Sequence, residues 1–282
     1  MSAEVVDRRT TISSGEFHYI RDLVRDHSAL MLEPGKEYLV ESRLDPLARQ
    51  EGFRSCHGLV ECLRSGPLSD LHRKVVEAMT NNETSFFRDA RVFAMFKNTI
   101  IPELVAQRAP ERTLNIWCAA SSTGQEPYSI AMLLREHLPG LGSWTIQLIA
   151  SDISRDVLAR ARAGRYSQME VNRGLPANLL VRYFQQRGAA WEISPAIRRM
   201  VTFREINLIQ PWPALPRMDV VFMRNVLIYL DLDAKRKILS KVARLLDPSG
   251  YLFLGGAETT TNLDPSFETK SFNNATCFQP RT

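Results

Sequence analysis

The sequence predicts an α/β protein: a Rossmann-like domain with a mostly parallel sheet, preceded by a small all-helical domain and carrying a small antiparallel β insertion. Two patterns carry this prediction. From residue 114 onwards, short apolar runs alternate with amphipathic helical patterns, which is typical of a parallel sheet covered on both faces. Residues 15–81 show only helical periodicity. The length of 282 residues is sufficient for two domains.

These patterns give approximate bounds. The helical domain is predicted over 10–81, a link over 82–92 and the α/β domain over 93–282, with the antiparallel insertion at about 180–205. The five strand candidates of the sheet are residues 114–118, 146–150, 201–204, 220–223 and 251–254.

A ligand pocket is predicted where the first strand ends. The small residues Ala119, Ala120, Ser121, Ser122 and Gly124 would let backbone amides approach a ligand beside the N-terminus of the next helix, predicted over 129–137. The second apolar run ends at Asp152, at a place where Rossmann-like sheets bind ribose hydroxyls. An ordinary tight turn is the alternative interpretation of the loop.

The missing motifs narrow the ligand class. No G-x-G-x-x-G follows the first strand, which weakens a dinucleotide interpretation, and no G-x-x-x-x-G-K-[ST] occurs anywhere, which excludes a P-loop. A loop of small residues with an acidic residue one strand later suits S-adenosylmethionine better, because that ligand has no phosphates to bind.

Several ordered blocks resemble the chemotaxis receptor methyltransferases of the CheR family. They read NETSFFRD at 82–89, STGQEPYS at 122–129 and RNVLIYLD at 224–231, and further similarity lies at 150–154, at 161–166 and at Asn207-Leu208. The resemblance runs from about Ser14 to the C-terminus. The clearest departure is Gln125, where the family usually has a glutamate, whereas Glu126 is kept.

The resemblance implies an S-adenosylmethionine-dependent methyltransferase that releases S-adenosylhomocysteine, uses no metal and converts glutamate side chains of bacterial chemoreceptors into methyl esters during sensory adaptation. It implies Arg88 and Tyr229 as the catalytic pair. The residues implied in cofactor binding are Asn82, Thr84, Arg88, Glu126, Asp152, Asn207, Leu208, Arg224 and Asn225.

Each of these residues also has an ordinary structural interpretation. Asn82 and Thr84 could be cap or turn residues, and Glu126 could complement a helix dipole. Asp152 could cap the helix that follows it. A glutamate acceptor is already ionised at neutral pH, so no general base is needed, and the forked donors of Arg88 and the hydroxyl of Tyr229 would position its carboxylate.

The expected partners are the glutamate-rich cytoplasmic helices of membrane chemoreceptors. The net charge is +5, and the resemblance matches Arg43 and Arg49 to receptor-facing basic positions, with solvated surface charge as the alternative. By resemblance, the antiparallel insertion corresponds to a β-subdomain with which some family members bind a C-terminal peptide tether of their receptors. Residues 186–192 are fewer than in those tether-binding relatives, so we expect no dependence on a tether, and a hairpin that only covers the sheet is the alternative. We expect a monomer that neither enters a membrane nor binds nucleic acid.

Other functions are disfavoured. A nucleic-acid methyltransferase would need a D/N-P-P-Y-type loop where Arg224 and Asn225 stand, and a non-catalytic scaffold would not need both Arg88 and Tyr229. A methyltransferase of a related signalling array outside chemotaxis remains an alternative. The four scattered cysteines predict free thiols, and no apolar run is long enough to cross a bilayer, so a cytoplasmic location is expected.

Overall fold

The computed structural model describes residues 12–138, 140–272 and 275–281, which form two compact units. The first unit comprises the chain up to Asn81 together with Tyr229–Asp231, and the second comprises the remainder. Residues 10 and 11 of the predicted helical domain lie outside the described residues. Within the described ranges, no helix combines the length and the apolar character needed to cross a membrane.

The first unit is all-helical, as predicted. Its helices are α1 (Ser14–Ser28), α2 (Glu37–Gln50), α3 (Cys56–Ser65) and α4 (Asp70–Ala78). Helix α1 begins with a capping box, in which the Ser13 hydroxyl accepts from Glu16 N while the Glu16 carboxylate accepts from Ser13 N at 2.8 Å. The apolar side chains that recur at helical spacing form the buried core, among them Phe17, Ile20, Val24, Val40, Leu44, Leu59 and Val75.

The second unit contains a seven-stranded sheet with helices around it. Its helices are α5 (Ala90–Met95), α6 (Ile101–Gln107), α7 (Gln125–His137), α8 (Arg155–Ala163), α9 (Gln168–Asn172), α10 (Ala177–Tyr183), α11 (Pro195–Arg198) and α12 (Leu232–Leu245). Its strands are β1 (Thr113–Ala119), β2 (Thr145–Asp152), β3 (Arg165–Ser167), β4 (Phe184–Arg187), β5 (Ala190–Ile193), β6 (Val201–Glu205), β7 (Met218–Met223), β8 (Leu246–Leu254), β9 (Phe267–Phe272) and β10 (Ala275–Pro280).

The sheet has the order β6-β2-β1-β7-β8-β10-β9, and the first five strands of this order are parallel. These five are the predicted strands. Every residue of β7 is buried, and all of them except Asp219 are apolar, as is usual for a parallel strand covered on both faces. The antiparallel pair β9 and β10 was not predicted, because β9 alternates exposed polar residues with partly buried ones and gives little apolar signal.

The antiparallel insertion is present, but its bounds differ from the predicted 180–205. It is a three-stranded sheet of order β3-β5-β4, so it begins at Arg165 and its last strand ends at Ile193. Strand β6, which the predicted range included, belongs to the main sheet. The early start was missed because β3 has only three residues and follows α8 directly.

The segment that precedes α5 belongs to the second unit and ends earlier than the predicted residue 92, because α5 begins at Ala90. Phe86 anchors this segment, since its ring is fully buried and meets Tyr166 edge-on at 5.0 Å and Phe184 at 5.5 Å between centroids. The segment is therefore fixed to the antiparallel insertion through aromatic packing.

Two arginines of α2 have different environments. Arg43 Nη1 donates to Met79 O at 2.5 Å and to Thr80 O at 2.8 Å, so it satisfies carbonyls beyond the end of α4. Arg49 is 74% exposed and only approaches Asp45, at 3.9 Å. The two arginines are six positions apart in the sequence, which places them about 120° apart around the helix. Only Arg49 therefore has the surface character expected of a receptor-facing residue.

We predict that Arg43→Met destabilises the helical unit by about 1.5–3 kcal/mol, because two buried carbonyls lose a charged donor while the aliphatic stem is retained. The matched control Arg49→Met should change stability by less than about 0.5 kcal/mol. Hydrogen exchange of the amides at 70–81, followed by mass spectrometry, reports this difference locally. Equal protection in both variants would show that the Arg43 cap contributes nothing.

Candidate cofactor site

The loop between β1 and α7 is strained and tight. Ala120 and Ser122 have positive φ values of 54° and 49°, and Gly124 has a φ of 93°. A Cβ at Gly124 would also lie only 3.0 Å from the Ala161 Cβ, so this position needs glycine for its conformation and for space. Helix α7 begins at Gln125, earlier than the predicted residue 129, which places Glu126 in its first turn.

The Asp152 carboxylate ties the ends of two neighbouring strands together. It is 6% exposed. It accepts a hydrogen bond from Ser122 N, in the loop after β1, at 2.8 Å and another from Ser154 N, just after β2, at 3.0 Å. A carboxylate has about four lone-pair sites and can accept several hydrogen bonds at once. Asp152 thus stabilises the loop and is chemically able to accept further hydroxyl donors.

A buried ion pair joins the first turn of α7 to the loop after β7. Arg224, whose side chain is 2% exposed, donates through Nη1 to Glu126 Oε2 at 2.9 Å, and its Nη2 lies 3.8 Å from Asp89 Oδ2. Burial raises the pKa of Glu126 above 4.5, although the charge and the hydrogen bond of Arg224 oppose that rise. The guanidinium thus offsets much of the cost of burying a carboxylate here.

Gln125, the departure from the family pattern, is also buried. Its amide oxygen accepts from the Thr123 hydroxyl at 2.8 Å. A neutral side chain at this position avoids placing a second buried carboxylate beside Glu126.

The segment preceding α5 presents Arg88 between two strained residues. Phe87 and Asp89 have positive φ values of 48° and 66°. Asn82 is attached to the β1 loop, because its carbonyl accepts from the Ser122 hydroxyl at 2.7 Å. Positive φ in non-glycine residues usually marks functional or over-determined backbone, and here it flanks a predicted catalytic residue.

Two further loops complete the edge. Asn225 follows β7 with a φ of 59°, and Asn207 follows β6, where its Oδ1 accepts from Ile209 N at 3.1 Å. The Leu208 carbonyl accepts from Trp212 Nε1 and from Lys241 Nζ, both at 3.1 Å. The loop residues were predicted from the sequence, but Lys241 was not, because its position in the middle of a surface helix carries no signal of such a contact.

The structure brings some predicted site residues into contact within the second unit. Glu126 contacts Arg224, and Asn82 and Asp152 both bond to Ser122. Thr84 is half-buried in the segment that carries Arg88. Tyr229 belongs to the first unit, where its hydroxyl accepts from Asn81 Nδ2 at 2.7 Å.

The buried polar groups at this edge of the sheet fit a ligand such as S-adenosylmethionine. Among the described residues, the buried atoms Ser121 Oγ and Arg224 Nε have no hydrogen-bond partner. Leaving a buried donor unsatisfied costs about 1–3 kcal/mol, so a polar ligand would find unused bonding capacity at this edge. No group of three or more potential metal ligands occurs in the part of the chain that the structure describes.

Comparisons with known proteins identify both units. Residues 15–80 match the family "CheR methyltransferase, all-alpha domain", and residues 82–276 match "CheR methyltransferase, SAM binding domain". The predicted fold class, with its S-adenosylmethionine-binding domain after an all-helical domain, is thereby confirmed, and S-adenosylmethionine is the cofactor.

Curated relatives cover nearly the whole chain. Chemotaxis protein methyltransferase Cher2 of Pseudomonas putida is 39% identical over 257 residues, which are 90% of this chain and 93% of the relative. Chemotaxis protein methyltransferase 1 of Pseudomonas aeruginosa is 39% identical over 260 residues, 91% and 94% of the two chains. Chemotaxis protein methyltransferase 1 of Vibrio cholerae is 37% identical over 262 residues, 92% and 94%. This chain belongs to the CheR family of S-adenosylmethionine-dependent chemotaxis methyltransferases.

Proposed function

We propose that this protein methylates glutamate side-chain carboxylates of bacterial chemoreceptors and so produces glutamate methyl esters in sensory adaptation. The observation that carries the proposal is that the family match includes the all-helical unit as well as the cofactor-binding unit. The second unit accounts for methyl transfer in general. The first unit provides surface outside the cofactor-binding fold, as recognition of a protein substrate requires.

The chemistry demands positioning rather than proton transfer. When bound, S-adenosylmethionine supplies an electrophilic methyl group on a sulfonium. A glutamate with a pKa near 4.3 is already a nucleophilic carboxylate at neutral pH, so the residues of this chain need only hold one of its oxygens in line and exclude water. The absence of a histidine from the predicted catalytic pair agrees with this requirement.

We assign the positioning of the acceptor to Arg88 and Tyr229. The Arg88 guanidinium is half-buried, and Nη1 reaches the Glu83 carbonyl at a long 3.4 Å, so most of its donors are not committed to that contact. The Tyr229 hydroxyl accepts from Asn81, which leaves its own proton available for an acceptor carboxylate. A tight ion pair would reduce the nucleophilicity of the acceptor, so Arg88 serves to orient it.

We assign cofactor binding to the residues at the carboxyl edge of the sheet and in the segment before α5. Asp152 would accept from ribose hydroxyls. The other residues assigned to cofactor binding are Asn82, Thr84, Arg88, Glu126, Asn207, Leu208, Arg224 and Asn225.

We predict that Asp152→Asn weakens the binding of S-adenosylhomocysteine about tenfold or more, because a charge-assisted hydrogen bond contributes roughly 1.5–3 kcal/mol. Isothermal titration calorimetry on the full chain measures the affinity. Asp156→Asn, the same change on an exposed acid in the first turn of α8, is the matched control. An affinity equal to that of the wild type would remove Asp152 from the cofactor site.

Methyl transfer itself is tested with labelled S-adenosylmethionine and receptor-containing membranes. We predict label that alkali releases as methanol, as expected of an ester, and mass-spectrometric location of the ester on glutamate. Tyr229→Phe should lower kcat about tenfold or more while S-adenosylhomocysteine affinity stays within about twofold. Tyr38→Phe, at a tyrosine that is 63% exposed, is the control. Alkali-stable label, or full turnover by Tyr229→Phe, would contradict the substrate assignment or the hydroxyl's role, respectively.

Receptor docking is proposed to use the exposed Arg49, and it would take place in the cytoplasm. The predicted contribution of Arg43 is revised, because its guanidinium is engaged with Met79 and Thr80 inside the helical unit. Arg49 projects into solvent, where an acidic helix could meet it. No other function is favoured by an observation on this structure.

We predict that Arg49→Ala raises the apparent KM for the receptor about two- to fivefold at low ionic strength, since exposed charge pairs contribute up to about 1 kcal/mol. The increase should shrink as salt rises, because the Debye length falls to about 8 Å at physiological ionic strength. Arg54→Ala, an exposed arginine just beyond the same helix, is the control. An unchanged KM at low salt would return Arg49 to ordinary surface charge.

A further inference from the structure

One carboxylate organises the loop that carries Asn225. Glu258 Oε2 accepts from Gly255 N at 2.6 Å and from Asn225 N at 2.7 Å, while Oε1 accepts from Ile228 N at 3.1 Å. Gly255 follows β8, whereas Asn225 and Ile228 follow β7. A single side chain therefore satisfies three backbone donors that come from the ends of two adjacent strands.

The loop after β7 depends on such an acceptor. Asn225 has a φ of 59°, a left-handed conformation that asparagine adopts more readily than most L-residues. The N–H groups of Asn225 and Ile228, three positions apart in this loop, both donate to the same anion. In this protein the anion is the Glu258 carboxylate, and its short bonds have the lengths typical of charge-assisted hydrogen bonds.

Gly255 lies directly against the side chain of Asn225. A Cβ at Gly255 would lie 2.6 Å from Asn225 Nδ2, 2.9 Å from Asn225 Cγ and 2.8 Å from Glu258 Oε2. The Asn225 amide therefore rests directly on the bare backbone of Gly255. The Glu258 carboxylate holds the backbone of Asn225, and the absence of a side chain at Gly255 leaves the space that the Asn225 amide occupies.

Glu258 is not part of the hydrophobic core. Its side chain is half-buried in the turn after β8, and its neighbours Gly256, Ala257 and Thr259 are exposed. It lines a surface cleft together with Asp89 and others. Replacing its charge should therefore leave the packing of the sheet intact.

We infer that Glu258 is a positioning residue for the cofactor: by holding the backbone amides of Asn225 and Ile228, it presents the Asn225 side chain to bound S-adenosylmethionine. This inference rests on the proposed role of Asn225 in cofactor binding. Glu258 acts through Asn225, with no contact of its own to the cofactor required. In the sequence, Glu258 could be recognised only as an acidic residue shortly after the carboxyl end of a strand. The same kind of signal singled out Asp152.

The test compares S-adenosylhomocysteine binding by the full chain with its variants in calorimetry. Glu258→Gln keeps the size of the side chain, but whichever way its amide is oriented, one terminal atom becomes a donor that faces a backbone N–H. We expect affinity to fall at least about fivefold, with partial rescue in Glu258→Asp, which keeps the charge. Gly255→Ala should reproduce the loss without any change of charge, because it displaces Asn225 directly.

A double-mutant cycle separates positioning from general stabilisation. If Glu258 acts through Asn225, Glu258→Gln causes little further loss of affinity in an Asn225→Ala background, whereas a merely structural role predicts additive losses. Glu268→Gln, at a half-buried glutamate on β9 that is paired with Lys270, is the matched control and should bind like the wild type.

Two results would overturn the inference: wild-type affinity in both Glu258→Gln and Gly255→Ala, or strict additivity in the cycle. Failure of the wild type to bind S-adenosylhomocysteine would instead contradict the cofactor site as a whole. A finding that the wild type binds the cofactor but does not methylate receptor glutamates would leave the role of Glu258 standing and refute only the proposed substrate.

Discussion

Where the strands of a parallel sheet end, backbone N–H groups in the following loops have no neighbouring strand to bond to. In this protein, carboxylate side chains of the same chain accept hydrogen bonds from these groups. The inner strands β1 and β7 are each tied to their outer neighbours in this way. Asp152, at the end of β2, accepts from the loop after β1, and Glu258, after β8, accepts from the loop after β7. The ion pair of Glu126 with Arg224 joins the first turn of α7 to the loop after β7. Three ties therefore span four adjacent strands.

These interactions stabilise backbone of positive φ at the carboxyl edge of the sheet. Ala120, Ser122 and Asn225 all have positive φ, and two of them donate their N–H to one of the carboxylates. Strained backbone persists where surrounding contacts over-determine it, and here those contacts come from neighbouring strands rather than from the loops themselves. The geometry of the edge is consequently a property of the sheet order. A change in one loop would be transmitted to its neighbour through a hydrogen bond.

The sequence predicts the helical unit and the parallel strands well, because buried apolar residues recur in patterns typical of helices and strands. Five parallel strands and the all-helical unit follow from apolar runs and from helical spacing. The pair β9 and β10 escaped because one face is solvated and its polar residues mask the alternation. The bounds of the antiparallel insertion escaped because the three-residue strand β3 pairs with a strand 23 positions further along the chain, at Ala190 for Ser167, which local patterns cannot show.

The candidate site is predictable to a different degree. Family blocks point to Glu126, Asp152 and Asn225, and the structure places each of them at the carboxyl edge of the sheet. What the sequence could not show is which partner each side chain takes. Arg43 is the clearest example: in the sequence it is one more arginine on a basic helix, and only folding brings it to the carbonyls of Met79 and Thr80. Residues whose role depends on a long-range partner need the tertiary structure to be interpreted.

The carboxylates that tie the strand ends also bear on which metabolites the edge admits. In nucleotide-binding sheets, the amides at this position are the groups that bind phosphate. Here amides of Ser122 and Asn225 are already occupied by built-in anions, and the carboxylates add negative charge. Those two N–H groups are therefore not available to a phosphate, and S-adenosylmethionine, which has no phosphates, does not require them. The bonds that hold the loops thus use backbone donors that a phosphate-binding sheet leaves for its ligand.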